Sequence, residues 1–338
     1  MRILLYSENE KLVGKSGLGK AIKHQMRALE LADVDYTLDR NEDYDILHIN
    51  TYFPFSYFIA KQAKKRGKKI VYHAHSTEED YKNGFIFAKQ TSKLFKKWLI
   101  TCYKLGDVLI TPTDYSKRLL DGYGMNRRIY AVSNGIELEK FQKNEEAGRN
   151  FRKRYGLLDQ DKVIIGIGLF IERKGIVDFV ELAKRLPEYK FIWFGNSPLT
   201  VATKNVREAV NTKLDNLVFA GYVEQELIME AMNGCDLYLF PTLEETEGIP
   251  IIEAMACKCP ALIRDIPVFD GWLEDGVHVY KAKDVDDFCT KIPKIINGQL
   301  PDLTENAYQV AVDRSLEVVG YKLKAIYEEV MAMSNEKK

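Results

Sequence analysis

Residues 241–260 read PTLEETEGIPIIEAMACKCP, and the reading of this stretch governs the rest of the chain. It follows Leu237-Tyr-Leu-Phe240, a short apolar run with the make-up of a buried strand. Gly248 and Pro250 then announce a helix, because a proline in the first turn gives up an N–H that has no helical partner anyway. The loop between carries Glu244, Glu245 and Glu247, and Glu253 follows about one turn inside the helix. A helix N-terminus offers unpaired N–H groups and a partial positive charge, which suit a diphosphate. Carboxylates beside it accept hydrogen bonds from sugar or ribose hydroxyls. Acids at a helix start also serve simply to offset the dipole, and both readings stand on these residues alone.

Moving outward, short apolar runs alternate with longer amphipathic ones. Strands are predicted at 3–6, 46–49, 70–73, 108–111, 163–167, 191–194, 217–220 and 237–240. Helices are predicted at 18–31, 57–65, 85–104, 174–186 and 225–233. That alternation predicts an α/β class with parallel sheets covered on both faces. The pattern restarts near residue 160 after the polar stretch 143–150. Together with a length of 338 residues this predicts two Rossmann-like domains, 1–150 and 151–338, facing each other across a cleft. The last amphipathic stretch, 316–331, is suited to packing back on the first domain.

Three further segments stand at strand–helix junctions. Residues 166–175, GIGLFIERKG, contain Arg173 and Lys174 just where a helix opens. A cation at that end is mildly unfavourable, by about 0.3–1 kcal/mol, unless an anion lies there. Residues 15–19, KSGLG, follow the first strand, and glycine lets a backbone approach a ligand closely. Gly14, Gly19 and Lys20 fit the start of a P-loop, but Ala21 stands where the magnesium-binding hydroxyl belongs. His73 and His75 end the strand at 70–73. Their i, i+2 spacing would let them share a metal, yet no third ligand is evident. His24, His48 and His278 are most simply structural.

The pair Glu245-x7-Glu253, followed by Ala-Met-Ala and Cys-Pro, resembles the signature of retaining glycosyltransferase family four, which has the GT-B fold. The resemblance implies that Glu245 contacts the donor sugar and Glu253 the nucleotide ribose. The backbone of Gly248 and Ile249 would lie against the donor. Residues 166–175 resemble the family's Gly-Arg-Leu-x-x-x-Lys-Gly segment, whose Arg and Lys hold the donor diphosphate. Lys174-Gly175 fits, but Leu169 occupies the Arg position, so either Arg173 supplies the second charge or Lys174 works largely alone. Gly17 falls in the family's glycine loop, and His75 matches its active-site histidine, with His73 structural. The implied catalytic residues are therefore His75, Lys174 and Glu245, and the implied donor-binding residues are Gly17, Arg173, Gly248, Ile249 and Glu253. Neither a metal nor a cofactor is implied beyond the sugar nucleotide itself. Residues 106–113, 132–141 and 221–223 extend the resemblance over nearly the whole chain. Cys257 and Cys259 stand where the family has small residues before Pro260, which fits a packing role.

Charge bears on the acceptor. The chain balances 49 Lys+Arg against 49 Asp+Glu, but residues 1–150 hold 26 cations and 19 acids, a surplus of 26 − 19 = 7. Twelve of those cations lie within 61–104, interleaved with Phe53, Phe55, Tyr57, Phe58, Phe85, Phe87, Phe95, Trp98 and Tyr103. Such a face suits an anionic membrane surface, here through residues 53–104. An ordinary solvated helix with its aromatic stripe in the core is the competing account. No nucleic-acid module is evident. Five scattered cysteines and an opening MRILLYS that reads as a strand point to reduced thiols, and to a cytoplasmic enzyme peripheral on the inner face of the membrane. Residues 75–81, HSTEEDY, and 244–248, EETEG, resemble segments of the bacterial diacylglycerol glycolipid glycosyltransferases, and that resemblance implies UDP-glucose or UDP-galactose as donor and a glycolipid acceptor, monoglucosyl diacylglycerol first among them. A capsule or lipid-linked oligosaccharide acceptor is the second reading, and an inactive sugar-nucleotide-binding protein the third.

Overall fold

The computed structural model describes residues 1–8, 17–82 and 88–333. The chain forms two compact units. The first comprises Met1–Glu79, Thr91–Glu137 and Arg314–Lys338, and the second Asp80–Gln90 and Leu138–Asp313.

The first unit is built on a parallel sheet of β1 (Arg2–Tyr6), β2 (Asp35–Thr37), β3 (Ile46–Ile49), β4 (Lys69–His73), β5 (Val108–Thr111) and β6 (Arg128–Ala131), in the order β2-β1-β3-β4-β5-β6. Pairing is in register, with Leu4 opposite Leu47 and Leu47 opposite Ile70. Alternate side chains of a strand leave on opposite faces, so nearly continuous apolar strands feed two cores. Ile3, Leu5, Ile46, Val71 and Val108 pack with the helices Gly17–Leu31 and Leu316–Ala332. Leu4, Leu47, Ile70, Tyr72 and Leu109 pack on the other face with the helices Pro54–Lys65 and Ala88–Tyr103. The helix Leu316–Ala332 thus belongs to the first unit. Its Gly320 rests on the Ala28 carbonyl, where any Cβ would collide.

The second unit carries β7 (Val163–Ile167), β8 (Lys190–Phe194), β9 (Leu217–Gly221), β10 (Leu237–Phe240), β11 (Ala261–Arg264) and β12 (Tyr280–Ala282). They form a second parallel sheet in the order β12-β11-β10-β7-β8-β9. β7 and β10 are central neighbours, so the loops that follow them leave the sheet side by side.

The two units divide between Glu137 and Leu138, and the polar stretch near 143–150 runs into a helix, Glu145–Arg154, of the second unit. Its polarity is genuine, yet Asn144 caps it through Ala147 N–H at 3.0 Å, Phe151 is fully buried, and Gly148 lets it sit directly on Asn233 and Gly234. β2, β6, β11 and β12 escaped prediction: β2, β6 and β12 are short edge strands, whereas β11 is an internal strand directly after the helix Ile249–Ala256 whose apolar run is only three residues long before Arg264. The helix predicted at 174–186 begins later, at Ile176, after a 3₁₀ turn Glu172–Lys174 and a left-handed Gly175. The helix predicted at 85–104 is described from Ala88, and Phe85 and Phe87 lie outside the described residues, as do Gly14, Lys15 and Ser16.

Candidate active site

In the second unit the loops after β7 and β10 meet because glycine allows it. Gly175 has φ +74° and faces the Pro241 carbonyl so closely that a Cβ cannot be accommodated. Leu243 N–H donates to the Arg173 carbonyl at 2.7 Å, and the Thr242 hydroxyl donates to the same oxygen at 2.9 Å. Gly248, at φ +94°, turns the chain into the helix Ile249–Ala256 against the Phe240 ring.

This junction gathers charge. Lys174 Nζ donates to Glu245 Oε1. Arg173 Nη1 lies 3.5 Å from Glu245 Oε2, 3.2 Å from Asp80 Oδ1 and 3.2 Å from the Glu244 carbonyl. Thr242 adds a hydroxyl contact to Glu245 Oε1 at 3.2 Å. All four charged side chains are at most one-fifth exposed, Asp80 the most at 20%. Burial alone pushes the Glu245 carboxyl up, but the Lys174 ammonium and the Arg173 guanidinium outweigh it and hold the group below the ordinary carboxylate range. Burial dominates at Asp80 and raises its pKa in spite of Arg173. Two cations and two carboxylates, set at the carboxyl ends of parallel strands, form the place where an open α/β sheet binds ligands.

Glu253 is 1% exposed within the helix Ile249–Ala256, and Ile249 begins that helix. Leu169 points to solvent, 37% exposed, while Arg173 carries its guanidinium into the cluster. Cys257 and Cys259 are buried, and Cys235 Sγ lies 3.3 Å from Cys259 Sγ.

His75 and Gly17 belong to the first unit. Gly17 is exposed at the start of its helix, with open space where a Cβ would stand. His75 follows β4, stacks on His73 at 3.9 Å and meets Asn50 Oδ1 through Nε2 at 3.0 Å. Burial, helped by His75, takes His48 down to about 3 and His73 well below its ordinary value. An unfolded histidine titrates near 6.5. Below that pH the unfolded chain gains a proton at each of these positions that the folded chain does not accept until far lower pH. Stability therefore falls as pH falls, by about 2 kcal/mol for each fully buried ring between pH 7 and pH 5. Urea midpoints at the two pH values check this, and an unmoved midpoint would mean charged or solvated rings in the native state.

Sequence reasoning missed Asp80, Thr242 and Asn50 as site residues. Asp80 ends a lone acidic triplet in a basic region, five residues after His75. Asn50 follows β3 as His75 follows β4, and polar residues just past parallel strands were the available signal. Among the described residues, no group of three or more His, Cys, Asp or Glu side chains is placed to hold a metal ion.

Residues 148–311 match the family described as Glycosyl transferases group 1, and residues 21–140 match Glycosyltransferase Family 4. A processive diacylglycerol alpha-glucosyltransferase of Acholeplasma laidlawii is 39% identical over 98% of this chain and 99% of its own length. An alpha-galactosylglucosyldiacylglycerol synthase of Streptococcus pneumoniae is 25% identical over 94% of this chain and 86% of its own. Among solved structures, Anabaena Alr3699/HepE in complex with UDP and glucose superposes with a TM-score of 0.76 at 14% identity, covering 98% of this chain and 99% of that one, a likeness of fold. Both sheets, the two family matches and the full-length relative agree: the chain is a GT-B enzyme and belongs to the group 1, family 4 glycosyltransferases, the nucleotide-sugar-dependent hexosyltransferases.

Proposed function

We propose that the protein transfers a hexose, glucose or galactose, from a UDP-sugar to a membrane glycolipid, monoglucosyl diacylglycerol being the favoured acceptor, with retention at the anomeric carbon. The observation that carries this is the Arg173–Lys174–Glu245 cluster beside the helix start at Ile249, in a chain whose full-length relative is named for diacylglycerol glucosylation. Lys174 and Arg173 take the charge of the leaving diphosphate, assisted by the N–H groups at the helix end. Glu245 accepts donor-sugar hydroxyls and Glu253 a ribose hydroxyl. The bond from the anomeric carbon to the diphosphate breaks as the acceptor oxygen bonds on the same face, and the acceptor's proton passes to the departing diphosphate. In this mechanism the protein's work is positioning and charge neutralisation, with no metal or cofactor.

The acceptor resides in a bilayer, and no described helix is long and apolar enough to cross one. We propose that the enzyme works from the cytoplasmic face as a peripheral protein. The described large apolar side chains in and beside residues 53–104 include two contrasting sets. Tyr52, Tyr57, Phe95 and Trp98 pack on the core, and the Trp98 indole donates to the Tyr52 carbonyl at 2.7 Å. Phe55, Phe58 and Leu94 are instead 67%, 62% and 71% exposed, with Lys61, Lys64, Lys65, Lys93 and Lys97 exposed on the same two helices. Each such cation adds about 1 kcal/mol near an anionic surface. The test uses vesicles of neutral lipid with or without anionic lipid, loaded with monoglucosyl diacylglycerol and supplied with labelled UDP-glucose or UDP-galactose. The reading requires a labelled diglycosyl lipid of retained anomeric configuration and pelleting that needs the anionic lipid and weakens with salt. Label appearing only as free sugar, or binding indifferent to lipid charge, would count against it.

A further inference from the structure

Behind His75 the first unit holds a buried polar ladder that the transfer reaction does not by itself require. Gln25, on the helix Gly17–Leu31, lies at its centre and is 4% exposed. Its Oε1 accepts from Asn50 Nδ2 at 2.7 Å. Its Nε2 lies 3.0 Å from His48 Nε2 and 3.2 Å from His73 Nδ1, and donates to both. An amide nitrogen has two hydrogens and accepts nothing, so both ring nitrogens facing it carry lone pairs. His48 then bears its hydrogen on Nδ1, which donates to the Tyr327 oxygen at 2.6 Å. His73 then bears its hydrogen on Nε2, which is buried and meets no acceptor among the described residues, while its Nδ1 also lies 3.3 Å from His48 Nε2. Asn50 is oriented by the same reasoning. Its nitrogen is committed to Gln25, which turns Oδ1 toward His75 Nε2 at 3.0 Å. An amide oxygen only accepts, so the hydrogen of His75 is on Nε2.

We infer that Gln25 and Asn50 are positioning residues that hold His75 as the neutral Nε2–H tautomer, with His48 and Tyr327 anchoring the far end of the ladder. The groups that could upset this assignment, His48 and His73, are themselves neutral, and burial takes His75 down to about 3. His75 is left with Nδ1 as the ring's acceptor, able to take a hydrogen bond from a hydroxyl. The consequence for catalysis rests on the active-site role that the family resemblance implies for His75, whereas the tautomer does not.

Histidine-selective 15N labelling of the full-length protein separates the two. In the wild-type spectrum His75 should show a protonated Nε2 and a bare Nδ1, while His48 shows the opposite pattern. Asn50→Leu removes the acceptor, and should displace the His75 tautomer and lower kcat about tenfold with donor KM changed less than about twofold. Asn50→Asp restores the acceptor toward His75 but gives up the donor to Gln25, and should restore the His75 tautomer with partial recovery of kcat. The inference is overturned by wild-type His75 protonated on Nδ1, or by a tautomer that Asn50→Leu leaves untouched. A displaced tautomer with unchanged kcat would support the ladder and remove His75 from the donor site. Should Asn50→Leu fail to fold, the opposite tautomers required of His75 and His48 in the wild-type protein still decide the matter.

Discussion

Replacing Lys174 by alanine should lower kcat by about 10²–10³-fold while leaving the thermal midpoint within a few degrees of wild type. The size of the loss follows from where the ammonium sits. It is 14% exposed, and a charge withdrawn from water acts on a developing diphosphate more strongly than one in solution. The fold survives because Glu245 is not orphaned. Arg173 Nη1 remains 3.5 Å from its second oxygen and the Thr242 hydroxyl 3.2 Å from its first. Removing Glu245 instead would leave two buried cations sharing Asp80, a far costlier change. Lys174→Ala therefore isolates function, and wild-type turnover in that variant would end the donor-site assignment. Initial rates at saturating donor, with circular dichroism melts of the same preparation, check both halves.

The second large effect is on stability. Gly320→Leu should destabilise the protein by about 3 kcal/mol or more. Helix propensity argues the other way, since glycine inside a helix costs about 1 kcal/mol relative to alanine. Sterics decide the sign. A Cβ at position 320 would overlap the Ala28 carbonyl and stand 3.0 Å from Ala32 Cβ, so the helices Leu316–Ala332 and Gly17–Leu31 would have to part. Parting them exposes Leu323, Tyr327 and Val330, now nearly inaccessible to water. Gly320→Ala should fall between, and a stabilised Gly320→Ala would show that the two helices are free to yield. Urea melts of the three proteins provide the comparison.

Most of the strands that the sequence revealed are buried on both faces, although the half-exposed edge strand Leu217–Gly221 was found too and the buried Ala261–Arg264 was not. Ile46–Ile49, Val108–Thr111, Val163–Ile167 and Leu237–Phe240 are predominantly apolar runs, and their limits match the prediction. Edge strands such as Arg128–Ala131 and Tyr280–Ala282 pair on one side only and need no such composition. The helix Glu145–Arg154 was hidden for another reason. Its helical face depends on one phenylalanine and two glycines meeting across a contact, which becomes visible only when Asn233 and Gly234 are in place. The site divides similarly. Glu245, Lys174 and Gly175 sit in short sequence motifs and were legible as a pattern, although Lys174 and Glu245 meet across 71 positions. Asp80 joins the second unit's cluster through a contact over 93 positions, and in the first unit Asn50 meets His75 over 25, which no local pattern encodes.

The helix Leu316–Ala332 completes a core whose other members begin at Ile3. Between them the chain must deliver the stretch Leu138–Asp313, which folds as a unit of its own. At about 5–20 residues per second of synthesis, the amino-terminal sheet waits on the order of ten seconds or more with one face uncovered. Leu316, Val319, Leu323 and Ile326 reach that face only after the whole second unit has been made. The first unit to leave the ribosome is thus the last to be finished, and a nascent chain stalled before Arg314 would present an apolar surface to chaperones while its second unit is already folded.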